Sequence, residues 1–101
     1  MDLEKLYALL GFARRAKQIA SGETAVEANL KKGKVALLIM ANDGSPHAIE
    51  KYNLWCQDLG IKTIQVGTKA SLGIALGQSP RTIVAVLDEG FARAIEQAQQ
   101  K

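Results

Sequence analysis

Short apolar runs alternate with amphipathic segments along the sequence, and this alternation constrains the fold more than any other feature. Three runs read "VALLIMA", "TIQV" and "TIVAV" and begin at Val35, Thr63 and Thr82. A short continuous apolar run between turn signals is typical of a strand that is buried on both faces of a sheet. Because segments with helical periodicity separate the runs, the pattern predicts an α/β fold in which the three strands are central and side by side.

The segments between the runs carry signals for helix ends. The first helix follows Asp2 as its N-cap, and the second follows Ser21 as a candidate cap and ends at Gly33. Pro46 suits the first turn of a third helix, which Gly60 ends. With a short strand at "KQIAS", a short helix at "KASLGIALG" and a closing helix at "DEGFARAIEQAQQ", the predicted order is α, β, α, β, α, β, α, β, α.

This order predicts a three-layer α/β/α sandwich around a mainly parallel, mixed four-stranded sheet, because helical connections between buried strands favour parallel pairing. The chain has 101 residues, which is enough for one domain with its own core, so we expect a single domain over residues 1–101. In such folds ligands bind in the loops where strands lead into helices.

Several function classes are disfavoured by what the sequence lacks. The apolar runs are far shorter than the roughly 20 residues needed to cross a bilayer, and no signal-peptide pattern opens the chain, so we expect a cytoplasmic protein without a membrane partner. One cysteine, Cys56, and one histidine, His47, form neither a disulfide framework nor a metal site. We therefore expect no metal and no cofactor.

Enzymatic chemistry has equally little support. "LGIALGQSP" lacks the Gly-Lys-Ser/Thr end of a phosphate-binding loop, and His47 beside Pro46 is expected to be exposed at a helix start. Asp43 and Lys69 follow strands much as the acidic and basic groups of a phosphoacceptor receiver domain do, but "KQIASG" replaces the acidic pair that a receiver needs. The sequence predicts no catalytic residue and no enzyme.

The positive charge is concentrated in one segment. Between Arg14 and Lys34 six basic residues stand against two acidic ones, whereas the rest of the chain has seven basic and eight acidic residues. Such a segment is typical of a surface that meets phosphates, and it is also compatible with an ordinary solvated face. Within it, a helix begins near Gly22 with Glu23 and Thr24 in its first turn, and helix beginnings bind anions through free backbone N–H groups.

Longer stretches of the sequence resemble the YlxQ-like proteins of the kink-turn RNA-binding ribosomal protein family. The similarity covers nearly the whole chain and is most specific at "GFARRAK" leading into "SGE", at the spaced pattern from Lys34 to Ser45, at "TKASLGIALG" and at "VLDEGFA". The resemblance implies that the first turn of the helix after Gly22 enters an RNA groove at sheared G·A pairs. It also implies that the loop from Gly77 to Arg81 shields a flipped-out nucleotide.

The chain departs from the family pattern in that helix. Family members commonly place a polar pair and then a lysine where this sequence has Thr24, Ala25 and Ala28. Cations of the preceding segment would then supply an RNA affinity that depends on backbone contact and shape. The candidate RNA contacts are Arg14, Arg15, Lys17, Gly22, Glu23, Thr24, Lys34, Lys69, Gln78, Ser79, Pro80 and Arg81.

The resemblance thus favours a monomeric protein whose partner is structured RNA, with kink-turn-like and ribosomal RNA, and the ribosome itself, as candidates. A second hypothesis is a protein-interaction or assembly module of the translation machinery without kink-turn specificity. Such a module would show no salt-dependent affinity for RNA.

Overall fold

All nine predicted elements are present in residues 1–100, which a computed structural model describes; Lys101, the last residue of the predicted domain, lies outside the described residues. The elements are α1 (Leu3–Arg15), β1 (Ile19–Ser21), α2 (Glu23–Lys31), β2 (Leu37–Met40), α3 (Pro46–Leu59), β3 (Lys62–Gln65), α4 (Lys69–Ala75), β4 (Ile83–Val86) and α5 (Glu89–Gln100). Asp2 caps α1 by accepting a hydrogen bond from the Lys5 N–H at 3.1 Å, as predicted. The predicted ends of α3 at Pro46 and Gly60 are also confirmed.

The four strands form one mixed sheet in the order β1-β4-β2-β3. The three apolar runs are therefore neighbours, as predicted, but "TIQV" in β3 lies at an edge instead of in the centre. The prediction of a mainly parallel sheet is wrong. β2 pairs with β3 in parallel, whereas β4 is antiparallel to both β1 and β2.

The short helix α4 explains the antiparallel position of β4. It has seven residues and is thus about 10 Å long, and the loop after it folds back along it. The chain therefore re-enters the sheet beside Met40, the same end at which β3 finished beside it. A parallel β4 would have required a connection that returns to the opposite end of the strands.

Hydrophobic clusters cover both faces of the sheet, and β2 contributes to each in turn. Leu37 and Ile39 belong to the cluster that contains residues of α1, α4 and α5, while Leu38 and Met40 belong to the cluster that contains residues of α2 and α3. All four side chains are fully buried. This alternation explains why "VALLIMA" is apolar at every position.

Candidate nucleic-acid interface

One end of the sheet gathers four connections. The carboxyl ends of β1, β2 and β3 meet the amino end of β4 there, since Ser21 pairs with Val84 and Met40 pairs with both Gln65 and Ile83. We call this end the recognition edge. It carries the turn into α2, the loop after β2, the turn into α4 and the loop from Gly77 to Thr82.

Gly22 forms the turn into α2 with a backbone conformation that other residues rarely adopt. Its φ of 87° and ψ of 158° lie in a region that is essentially limited to glycine. The Gly22 N–H donates to the Ile83 carbonyl at 3.3 Å, which attaches the start of α2 to β4. Gly22 itself is the N-cap, so the prediction that Ser21 caps this helix is wrong.

The first turn of α2 has no side-chain cap. In the chain up to Gln100, no acceptor is found for the N–H groups of Glu23, Thr24 and Ala25, and all three residues are exposed. The other four helices each have a capping side chain, from Asp2, Ser45, Thr68 and Asp88. Three free N–H groups at the positive end of the helix dipole provide donors for a phosphate or another anion.

The loop after α4 is tied to the beginning of α2 by side chains. The Ser21 hydroxyl donates to Gln78 Oε1 at 2.6 Å, and Arg81 Nε donates to the same oxygen at 3.1 Å. Arg81 also donates through Nη1 to the Ser79 hydroxyl at 2.8 Å. These bonds bring Gln78, Ser79 and Arg81 together next to Ser21, the residue before Gly22.

Gly73 lets this loop approach α4 closely. A Cβ atom at Gly73 would lie 2.4 Å from the Ser79 carbonyl oxygen and 2.9 Å from that of Gln78. The sequence does not identify Ser21 and Gly73 as residues that position the loop from Gly77 to Arg81. Gly73 stands inside a predicted helix, where an isolated glycine signals close packing, but the partner of that packing is visible only in the folded chain.

Three further candidates, Arg14, Lys69 and Pro80, lie at or next to the recognition edge. The guanidinium of Arg14 lies next to Gly77, with Nη1 at 3.6 Å from where a Cβ of that residue would be. The backbone N–H of Lys69 donates to Asp43 Oδ1 at 2.8 Å, and the Lys69 carbonyl accepts from the Arg81 N–H at 3.0 Å. Pro80 lies exposed between Ser79 and Arg81 in the same loop.

Lys17 and Lys34 lie elsewhere. They line an open groove of about 440 Å³ together with Gln18, Leu87 and Glu89, at the opposite end of the strands. Arg15 packs on its own helix, with its guanidinium carbon 4.8 Å from the centre of the Phe12 ring on α1. The structure thus divides the predicted contacts into a main group at the recognition edge and a separate lysine pair.

Lys17 has an unusual backbone for its residue type. It follows α1 with a φ of 61°, and the bonds from Lys17 N–H to Arg14 and from Gln18 N–H to Ala13 form a Schellman motif, both at 2.9 Å. Glycine usually occupies this left-handed position, as Gly33 does after α2. A lysine there costs roughly 1 kcal/mol of conformational energy.

Titratable groups do not form a reactive centre in the described residues. Burial raises the pKa of the Cys56 thiol to about 11, which leaves it protonated and inert at neutral pH. A hydrogen bond from Tyr52 at 2.6 Å lowers the pKa of Glu27 and ties α2 to α3. No group of three or more potential metal ligands occurs in residues 1–100, and no helix among them is long and apolar enough to cross a membrane.

The chain is similar to known proteins in sequence and in fold. A family model for the ribosomal protein L7Ae/L30e/S12e/Gadd45 family matches residues 4–96. The chain is 32% identical over 89 residues to the RNA-binding protein YlxQ of Bacillus subtilis (strain 168), an alignment that covers 88% of this chain and 89% of that protein.

Two solved structures are also similar. A protein of unknown function from Bacillus halodurans C superimposes with a TM-score of 0.91 at 33% identity, covering 96% of this chain and 98% of its own. The 15.5kD RNA binding protein of Giardia lamblia has a TM-score of 0.81 at 23% identity, covering 97% of this chain and 88% of its own. Because the identity to the Giardia protein is only 23%, that similarity shows a shared fold alone.

Proposed function

Because the chain belongs to the ribosomal protein L7Ae/L30e/S12e/Gadd45 family, as its sequence resemblance indicated, we propose that it binds structured RNA at the recognition edge. The proposal treats residues 1–101 as one monomeric RNA-binding domain with the α/β/α layering expected from the sequence. The similarity to an RNA-binding protein supports this proposal, and neither the name of that relative nor that of the family denotes an enzyme.

The observation that carries the proposal is the uncapped beginning of α2. Its three free N–H groups stand beside a loop that Ser21 and Arg81 hold through one acceptor, Gln78 Oε1. The N–H groups would donate to a phosphate, while the side chains of Glu23 and Thr24 are exposed and close enough to the helix start to meet base edges.

The identity of the α2 residues affects which RNA is preferred. Ala25 and Ala28 are both exposed and offer no polar group to a base or a phosphate. Recognition at α2 then depends on backbone N–H groups and Thr24, and the shape of a kink-turn or ribosomal RNA contributes more than its sequence. The loop from Gly77 to Arg81 would cover one unpaired nucleotide of that RNA.

A binding titration at two salt concentrations tests the proposal, using a kink-turn RNA, a plain RNA duplex and a ribosomal RNA fragment. The key variant replaces Arg14 and Lys69 with alanine, since neither side chain makes a hydrogen bond or ion pair within residues 1–100. We expect weaker binding to structured RNA and a salt dependence that is flatter by about one unit or less per lost phosphate contact.

The matched control replaces Lys5 and Arg93, two exposed cations on α1 and α5 that likewise make no side-chain bond in the described chain. Their loss removes the same charge and should change binding little. An equal effect of both variants would leave only nonspecific charge attraction. If the unmodified protein bound none of the three RNAs, the protein-interaction hypothesis would replace this one.

A further inference from the structure

An open groove of about 410 Å³ lies between the last turns of α1 and the end of α4. Phe12 and Ile74 line it and are 53% and 78% exposed, so the two large apolar side chains meet solvent in the free protein. Neither is needed for the core, because the buried positions of these helices are occupied by residues such as Leu10 and Leu72. Exposed apolar surface of this kind often marks a binding site.

The rest of the groove is cationic. Arg14 and Arg15 line it, and it contains no acidic residue. Arg15 lies over the Phe12 ring with 4.8 Å between the guanidinium carbon and the ring centre. The groove also ends at Gly77, the first residue of the loop proposed to contact RNA. An anionic ligand with a flat apolar part would match both the charge and the surface.

From this combination we propose that the groove holds an unpaired nucleotide that flanks the structured RNA. Its base lies against Phe12 and Ile74, and its phosphate is paired with Arg14. Aromatic rings and arginine planes are the usual stacking surfaces for unpaired bases. The inference rests on the proposed function, because the groove adjoins the recognition edge through Arg14 and Gly77.

The size of the groove favours a nucleotide over a protein partner. A volume of about 410 Å³ falls in the range of small-ligand sites. A stable protein partner would instead require roughly 800 Å² of surface from this chain, spread over 20 or more residues. The groove therefore suits one or two nucleotides that continue a strand already bound next to it.

The experiment takes the structured RNA that the protein binds most tightly in the titration described above, prepared with blunt ends, and compares it with the same RNA carrying four unpaired nucleotides on either its 5′ or its 3′ end. We expect at least one extension to tighten binding by about fivefold or more, the usual effect of stacking one base. Phe12→Ala should remove that gain and leave the affinity for the blunt RNA unchanged. Phe12→Tyr keeps an aromatic ring and should retain the gain.

A matched control is Leu54→Ala, which removes an apolar side chain that is 56% exposed on α3. It should leave the gain intact. If none of the three RNAs of that titration binds, the proposed function itself fails. If the blunt RNA binds but no extension tightens binding, or if Phe12→Ala keeps the gain, the inference about the groove is overturned. Light scattering that finds a dimer dependent on Phe12 would also overturn it, because a second copy would then fill the groove.

Discussion

At the scale of single residues, two backbone positions within the basic segment carry unusual conformations. Gly22 has φ 87° and ψ 158°, and Lys17 has φ 61°. Gly22 is required by geometry, since its conformation is essentially inaccessible to other residues. Lys17 is tolerated at a cost, and persistent local strain of this kind is frequent at functional positions.

Gly22→Ala should destabilise the protein by about 1–3 kcal/mol, because the new side chain would be held in a region of φ and ψ that alanine avoids. The cost is conformational, since no atom lies within 4 Å of the new Cβ. Gly33→Ala is the matched control. Its Cβ also meets open space, but its φ of 69° is left-handed helical and costs only about 1 kcal/mol. Equal losses in urea unfolding would contradict this account.

Lys17→Gly should stabilise the protein by about 0.5–1 kcal/mol, because glycine adopts the left-handed position after α1 without strain. The same change should weaken RNA binding and flatten its salt dependence if Lys17 contacts a phosphate. Urea unfolding and a salt titration measure the two effects on one variant. A stability gain with unchanged RNA affinity would show that Lys17 does not contact RNA. A loss of stability would show that the backbone of Lys17 is not strained.

At the scale of elements, the packing of α4 against its following loop controls the recognition edge. Gly73 permits the contact, and Ser21 in β1 fixes the loop from the other side through Gln78. The loop is thus positioned by one helix and one strand that are far apart in sequence.

Gly73→Ala should push the Ser79 peptide away from α4 and destabilise the protein by about 1–3 kcal/mol, as overpacking usually does. It should also reduce affinity for structured RNA, although it deletes no contact side chain. Gly11→Ala, in the interior of α1, is the control: its Cβ would meet the Ala75 carbonyl at an ordinary 3.5 Å, so it should stabilise by about 0.5–1 kcal/mol. Unchanged affinity for the Gly73 variant would show that the loop does not position RNA.

At the scale of the whole molecule, the basic segment of the sequence becomes two separate surfaces. Arg14 and Lys69 adjoin the recognition edge, whereas Lys17 and Lys34 lie at the other end of the strands. Strands of three or four residues separate the two ends by roughly 10–13 Å. An RNA helix is large enough to meet both surfaces of a molecule that measures 30 × 26 × 25 Å.

Lys17/Lys34→Ala and Arg14/Lys69→Ala should therefore have additive effects on the free energy of binding, since the side chains of the two pairs line different surfaces and share no partner within residues 1–100. The quadruple variant should equal the sum of the two double variants within about 0.5 kcal/mol. Fluorescence titration with the ribosomal RNA fragment at low salt measures all three. A quadruple variant no weaker than Arg14/Lys69→Ala would show that the lysine pair does not meet RNA.

Local patterns in the sequence were sufficient to predict the order of helices and strands in this protein. Hydrophobic periodicity and helix-end signals are short-range properties, so "VALLIMA" indicated a doubly buried strand and Asp2 indicated a helix start. The resemblance assigned RNA contacts to Gly22 and to the loop from Gly77 to Arg81, and in the structure Ser21, which precedes Gly22, and Arg81 both donate to Gln78 Oε1. The contact of this loop with RNA stays a prediction.

Only the tertiary structure decided strand direction and the grouping of the cations. The direction of β4 depends on where a short helix and its loop return the chain to the sheet, and no local pattern encodes that. Likewise, Arg14 and Lys17 are three residues apart in sequence, but one reaches Gly77 and the other lies beside Lys34. The sequence shows only which cations are close along the chain. The packing of α1, β1 and α4 decides which of them share a surface that RNA could contact.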